Sequence, residues 1–221
     1  MSHFDAHFHL GVSSEATGIL CTSKQEEWVQ LAGLSTSITP SIGLLPGSSP
    51  LDSSLYTMET LLQENKQYQI GEVGLDKRFP LLDKQRIFLI EVFDLAKQYH
   101  RMVSIHSVQC DGLLLSLLPS DVPILWHGFT GSIETANQGY RKGVVFSLGP
   151  RIYKTKLISR INELKEHPFL LESDATENTN YSILLEEHYA MMAGAMHLTI
   201  AQLVRRIDET RTILTNKQTS W

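Results

Sequence analysis

What the sequence has little of narrows it first. Only two cysteines, Cys21 and Cys110, occur in 221 residues, and they stand far apart. That excludes a disulfide framework, and two buried thiols in a reducing cytosol are the expectation. No apolar run approaches the roughly 20 residues that span a bilayer; the longest lies around Leu113 to Leu118. The opening residues lack a basic segment followed by an apolar one, so a secretory leader is not expected, and the chain reads as cytoplasmic. Positive charge is short as well: 19 Lys and Arg against 24 Asp and Glu leave a formal net charge of −5. This argues against a surface that coats nucleic acid broadly. It leaves room for a local basic rim, or for a metal ion that brings its own charge.

What is present is the composition of an ordinary globular protein, 42% hydrophobic and 19% charged. No repeat, linker or low-complexity run divides the chain, so one domain over residues 1–221 is expected, as a monomer. Strand signals recur eight times, near 3–9, 17–22, 37–44, 68–73, 102–106, 122–127, 143–148 and 168–174. Helical stretches lie between them, near 24–34, 53–66, 81–100, 109–118, 132–141 and 154–166, with a long one at 182–205. Within 81–100, Leu82, Ile87, Phe88, Val92, Phe93, Leu95 and Ala96 recur at helical spacing. Within 182–205, Leu184, Leu185, Met191, Met192 and Leu198 are expected to pack on the body. Eight alternations of strand and helix predict an α/β fold, a closed (β/α)8 TIM barrel. Leu10 to Ala16 are too few for a crossover helix. The predicted barrel is therefore slightly shortened, its first crossover helix missing or reduced to a turn. Pro46-Gly47-Ser48-Ser49-Pro50 reads as a loop.

Chemistry in such barrels collects where the strands end. Strand one, Phe4-Asp5-Ala6-His7-Phe8-His9-Leu10, puts His7 and His9 on one face and Phe4, Ala6 and Phe8 on the other. Glu72 closes the fourth apolar run, His106 the fifth, His127 the sixth and Asp174 the eighth. Taken singly, each is more often a satisfied rim residue or a helix cap. Jointly, five of eight strands end in a metal-ligand type at one rim. Imidazoles with carboxylates suit zinc, manganese or similar divalent ions. Six ligands exceed what one catalytic ion uses. They fit two ions about 3.5–4 Å apart, with Glu72 as the best bridge. His3, His100, His167, His188 and His197 read as ordinary, and the Met191-Met192 pair as core filling.

These pieces resemble the TatD-related metal-dependent deoxyribonucleases of the amidohydrolase-type barrels. The resemblance rests on Asp5-Ala6-His7-Phe8-His9-Leu10, Gly71-Glu72-Val73-Gly74-Leu75-Asp76, Ile105-His106-Ser107, His127-Gly128-Phe129-Thr130-Gly131-Ser132 and Leu171-Glu172-Ser173-Asp174, in the family's order. It implies that His7, His9, Glu72 and Asp174 hold one metal, and Glu72, His106 and His127 the other. Three positions depart from the family pattern: Leu45 where a histidine is usual, Val108 in place of an arginine, and Thr176 in place of a proline.

The expected activity is hydrolysis of a phosphodiester, in nucleic acid or a nucleotide-like small molecule, with two divalent ions (Zn, Mn or Mg) activating a water. Asp174 is the expected general base and Glu72 the shared ligand. Lys77, Arg78, Arg151 and Lys154 follow barrel strands and are candidate phosphate contacts. Two competing expectations are amide hydrolysis or deamination on the same barrel, and a catalytically silent metal-binding scaffold. Relatives with amidase chemistry often bridge their ions with a carbamylated lysine; Glu72 at that position favours the phosphoesterase branch.

Overall fold

Short runs rich in Ile, Val, Leu and Phe form eight parallel strands, and they join in chain order into one sheet. The strands are β1 Phe4–Phe8, β2 Thr17–Cys21, β3 Ile38–Ile42, β4 Gln69–Asp76, β5 Val103–Val108, β6 Ile124–Trp126, β7 Val145–Leu148 and β8 Phe169–Leu171. A computed structural model describes residues 3–12, 16–48, 51–176 and 180–219, without the side chains of 51–53 and 215–219. The strands are buried almost throughout, as expected of a parallel sheet covered on its outer face. Helices α1 Leu51–Glu64, α2 Leu82–Tyr99, α3 Asp111–Leu117, α4 Ile133–Arg141, α5 Tyr181–Ala195 and α6 Ile200–Thr219 supply that cover. Three short 3-10 helices, Gln25–Leu31, Pro150–Lys154 and Lys156–Leu164, take the place of α-helices after β2 and β7. The barrel fold is the one the alternation of strands and helices predicts.

Closure of the ring is unusual. Among the described residues β1 and β8 share one bridge, Phe8 to Ala175, rather than a ladder. His9 N donates to Ala175 O at 2.8 Å, and Asp174 N donates to His7 O at 3.0 Å. Side chains carry the rest of this seam. Asp5, fully buried, accepts from Ser173 N (2.9 Å), from Ser173 Oγ (2.5 Å) and from His7 N (3.1 Å). Ser173 Oγ in turn accepts from Ala175 N at 3.1 Å.

Several expectations need correction. The fourth strand continues to Asp76, so Glu72 lies within it and not at its end. The helix expected over 182–205 is two helices. The chain leaves α5 with Leu198 N donating to Ala193 O and His197 N donating to Gly194 O, His197 being left-handed at φ 53°. Thr199 then starts α6 with a reciprocal cap: Gln202 N donates to Thr199 Oγ1, and Thr199 N to Gln202 Oε1. Ile87, at 52% exposed, sits opposite the α2 stripe of Phe88, Leu89, Val92, Phe93 and Ala96. Met191 is likewise exposed, because it points about 100° away from its fully buried neighbour Met192. The connection from β1 to β2 is turn at residues 10–11; positions 13–15 lie outside the described residues, as do Ser49 and Pro50 of the expected loop.

Candidate metal centre

The residues singled out at strand ends meet at one mouth of the barrel. His7 Nε2 and His9 Nε2 face each other at 3.3 Å. Glu72 stands between two pairs of imidazoles. Its Oε2 lies 3.7 Å from His7 Nε2 and 3.9 Å from His9 Nε2. Its Oε1 lies 2.8 Å from His106 Nδ1 and 2.7 Å from His127 Nε2. Asp174 reaches this group through His9, with Oδ1 at 3.3 Å from Nε2. Its own backbone is left-handed, φ 53°, a region that aspartate tolerates better than most side chains.

Glycines let the strands close up around these side chains. A Cβ on Gly43 of the β3 end would sit 2.0 Å from Glu72 N, and one on Gly74 would sit 1.9 Å from His106 O. Both contacts are far inside van der Waals range. The backbone segments carrying Glu72 and His106 are packed against neighbours that only glycine permits.

A ring of carboxylates that sequence reasoning missed supports the histidines. Asp76, buried, places Oδ2 3.3 Å from His106 Nε2, on the far side of the ring from Glu72. Glu172, fully buried, places Oε1 3.6 Å from His127 Nδ1, while its Oε2 accepts from Ser147 Oγ. Asp5 anchors the backbone of His7 and Ser173. A signal existed for two of these. Asp5 shares strand parity with His7 and His9, and Glu172 shares it with Asp174.

Charge is distributed unevenly in this cluster. Burial, with His127 facing it, pushes His7 down to about 3, which keeps that ring neutral. Burial opposes protonation of His127 too, but Glu72 and Glu172 outweigh it and raise this histidine well above its ordinary value. Burial likewise works against ionisation of Glu72, yet His127, His106 and His7 together hold it well below the usual carboxylate range. Asp174 is held at about 2 because the His9 hydrogen bond and the facing cations outweigh its burial. Asp5 is raised to about 7 by burial, with its three donors pulling the other way.

This donor set suits a divalent cation. Two Nε2 atoms 3.3 Å apart can share one proton or one cation between them, and His7 is the ring that burial keeps unprotonated. Donor atoms lie within 4.8 Å of one another in three groups: His7, His9 and Glu72; Glu72, His106 and His127; and His7, His127 and Glu172. Clustered imidazoles and carboxylates of this kind can bind metal ions.

The four cationic residues behave differently from one another. Arg78 is spent on Asp76, with Nε and Nη2 donating to both carboxylate oxygens. Arg151 Nη2 is paired with Asp174 Oδ2. Lys77 and Lys154 are exposed and make no ion pair among the described residues. Beside Asp174 and Glu172, a cavity of about 200 Å³ opens, with Arg151, Thr130 and Leu184 in its wall. Leu45 and Val108 are both partly exposed.

Comparison with known proteins follows the same lines. Residues 9–214 match the family described as TatD related DNase. The human protein named Deoxyribonuclease TATDN3 is 32% identical over 146 residues, 56% of this chain and 53% of that protein. The mouse Putative deoxyribonuclease TATDN3 is 28% identical over 157 residues, 62% of this chain and 53% of that protein. The matched regions therefore span about half the length of these curated relatives. Among solved structures, YJJV, a TatD homolog from Escherichia coli, superposes with a TM-score of 0.84 at 21% identity, over 96% of this chain and 97% of that one. A TatD-family hydrolase from Entamoeba histolytica gives 0.73 at 13% identity, over 97% and 98%. At these identities the two structures speak for the fold alone.

Proposed function

The chain belongs to the TatD-related DNase family, and from that premise we propose that it hydrolyses phosphodiester bonds of DNA at the histidine–carboxylate cluster. The observation that carries this reading is the placement of Glu72. Each of its oxygens faces a different pair of imidazoles, 2.7–2.8 Å away on one side and 3.7–3.9 Å on the other. A carboxylate so placed suits two cations better than one. In this reading His7, His9, Glu72 and Asp174 hold the first ion, and Glu72, His106 and His127 the second. The mixed nitrogen and oxygen donors favour zinc or manganese over magnesium.

Bound there, the ions supply Lewis acidity, making a water more acidic and offsetting charge on the phosphoryl oxygens. The chain's own residues do the rest. Asp174 takes the proton of the attacking water on a carboxylate oxygen. The water oxygen bonds to phosphorus, the bond to the leaving oxygen breaks, and the proton goes on to that oxygen. Arg151, now on Asp174, is placed to turn to a phosphate in the adjoining cavity. Lys77 and Lys154 hold unpaired charge for flanking phosphates, and Arg78 holds Asp76 in place behind His106. The protein acts as one domain over residues 1–221 and as a monomer. Its two buried, unpaired cysteines support a reducing compartment, the cytoplasm. No described helix is long and apolar enough to cross a membrane.

The test is metal content with stoichiometry, together with turnover of bis-p-nitrophenyl phosphate and single-stranded DNA against a panel of amides. Two ions per chain and phosphodiester turnover that Glu72→Ala and Asp174→Ala both abolish are the expected results. Turnover of an amide alone would overturn the proposal, as would equal background rates in wild type and variants.

A further inference from the structure

The loop that follows β4, residues 77–81, carries the most unexpected surface of the mouth. Phe79 is 41% exposed and Leu81 is 63% exposed, the latter in a left-handed conformation at φ 63°. Contiguous exposed apolar surface can mark a binding site, and Phe79 and Leu81 stand two residues apart on this one loop. The loop is also held firmly. Gln85, itself buried, accepts from Asp76 N (2.9 Å) and donates to the carbonyl oxygens of Asp76 (3.1 Å), Phe79 (3.3 Å) and Pro80 (3.3 Å). Arg78 fastens the loop to Asp76 from the other side, and Asp76 touches His106. Lys77 N donates to Val108 O at the end of β5. One edge of the Phe79 ring rests over Gly47, where any Cβ would meet the ring at 2.6 Å. A loop merely exposing an aromatic by default would not spend a buried glutamine on fixing its backbone.

We propose that Phe79 is a stacking platform for a base of the single-stranded DNA whose phosphodiester lies at the metal centre. This deepens, and rests on, the phosphodiesterase reading. The ring offers a π face to any base, while Lys77, two residues earlier, exposed and without an ion pair among the described residues, meets the negative backbone. Aromatic stacking with a neighbouring cation is how single strands are held without sequence readout. The loop's backbone is pinned before substrate arrives, so little ordering entropy is lost on binding. Phe79 thus sets preference for polynucleotide over small phosphodiesters, and Leu81 widens the apolar shelf.

Phe79→Ala and Phe79→Trp are compared with wild type on two substrates and in one binding assay. With a single-stranded oligonucleotide, Phe79→Ala is expected to lower kcat/KM about tenfold or more, the loss of roughly one stacked base. With bis-p-nitrophenyl phosphate it should leave kcat/KM unchanged, and Phe79→Trp should keep both activities. Anisotropy of a labelled, hydrolysis-resistant phosphorothioate oligonucleotide should report the same weakening for Phe79→Ala. This arm stands even if wild type cleaves nothing, which would sink the phosphodiesterase reading and leave the platform to be judged by binding. Equal losses on both substrates would overturn the proposal. So would unchanged oligonucleotide affinity, or a dimer in solution that Phe79→Ala dissociates.

Discussion

Two halves of the candidate centre are built in different ways. His106 sits inside β5, which pairs with the long, bulged β4 through five register partners from Val73 to Asp76 and Ile70. His7, His9 and Asp174 sit where the ring closes through a single bridge. In the first half the backbone ladder fixes the strands, Asp76 lies within hydrogen-bond range of the His106 ring, and Glu172 stands 3.6 Å behind His127. In the second half the described residues show one bridge and two backbone hydrogen bonds, and a buried aspartate with a serine adds side-chain bonds between the edges. A barrel can thus place candidate ligands at a sparsely paired seam where side-chain hydrogen bonds supplement a short backbone pairing.

Glu72 faces both halves, so Glu72→Ala should have the largest effect, reducing activity to background and lowering metal content, as read by metal analysis of the purified variant. Asp5→Ala strikes the seam alone. It strands the donors His7 N, Ser173 N and Ser173 Oγ, and should cost about 3 kcal/mol. In a chain of this size that lowers Tm by about 6–12 °C, measured calorimetrically; an unchanged Tm would show the seam is held by something else. Chelation should come next. Stripping a metal present at about 100 times its Kd removes about 2.7 kcal/mol, and amide exchange should rise first at His9 and Asp174, on the seam, and not in β4 or β5. On the ladder side, Asp76→Asn or Glu172→Gln should weaken metal binding about 10- to 100-fold by calorimetric titration, since each carboxylate stands behind an imidazole. Arg151→Gln should be mildest. Its exposed pair with Asp174 contributes little, and a KM change of at most about fivefold is expected on small phosphodiesters.

Much of this arrangement can be read from the sequence, and the rest is hidden for physical reasons. Alternation along Phe4 to Leu10 places His7 and His9 on one face, and apolar runs place Glu72, His106, His127 and Asp174 near strand ends. What the alternation also implies, and residue type obscures, is that Asp5 faces inward with them: an aspartate beside two histidines reads as a ligand or a cap, not as a joint. Glu172 is obscured by Asp174 two residues later, because only folding decides that one lies behind His127 and the other beside His9. Asp76 stands four residues beyond Glu72 on a strand whose true length the apolar run Gln69 to Val73 understates; glycines at 71 and 74 look like strand ends but permit close packing. The break between α5 and α6 is written locally, in Thr199 and Gln202, yet Leu198 continues the apolar pattern across it. Arg78 and Arg151 look like free cations in sequence, and pairing with Asp76 and Asp174 is visible only in three dimensions.

The seam has a consequence for how the protein is made. Asp5 and Ser173 stand 168 positions apart, and contacts of such separation form late in folding. A ribosome makes the His-x-His pair well before the aspartate that faces His9, 165 positions further on. The opening strand must therefore wait, unpaired on one side, until the eighth arrives. On the metal-binding reading proposed above, an ion offered before that point would meet only part of its donor set, so loading would coincide with the final zipping of the wall.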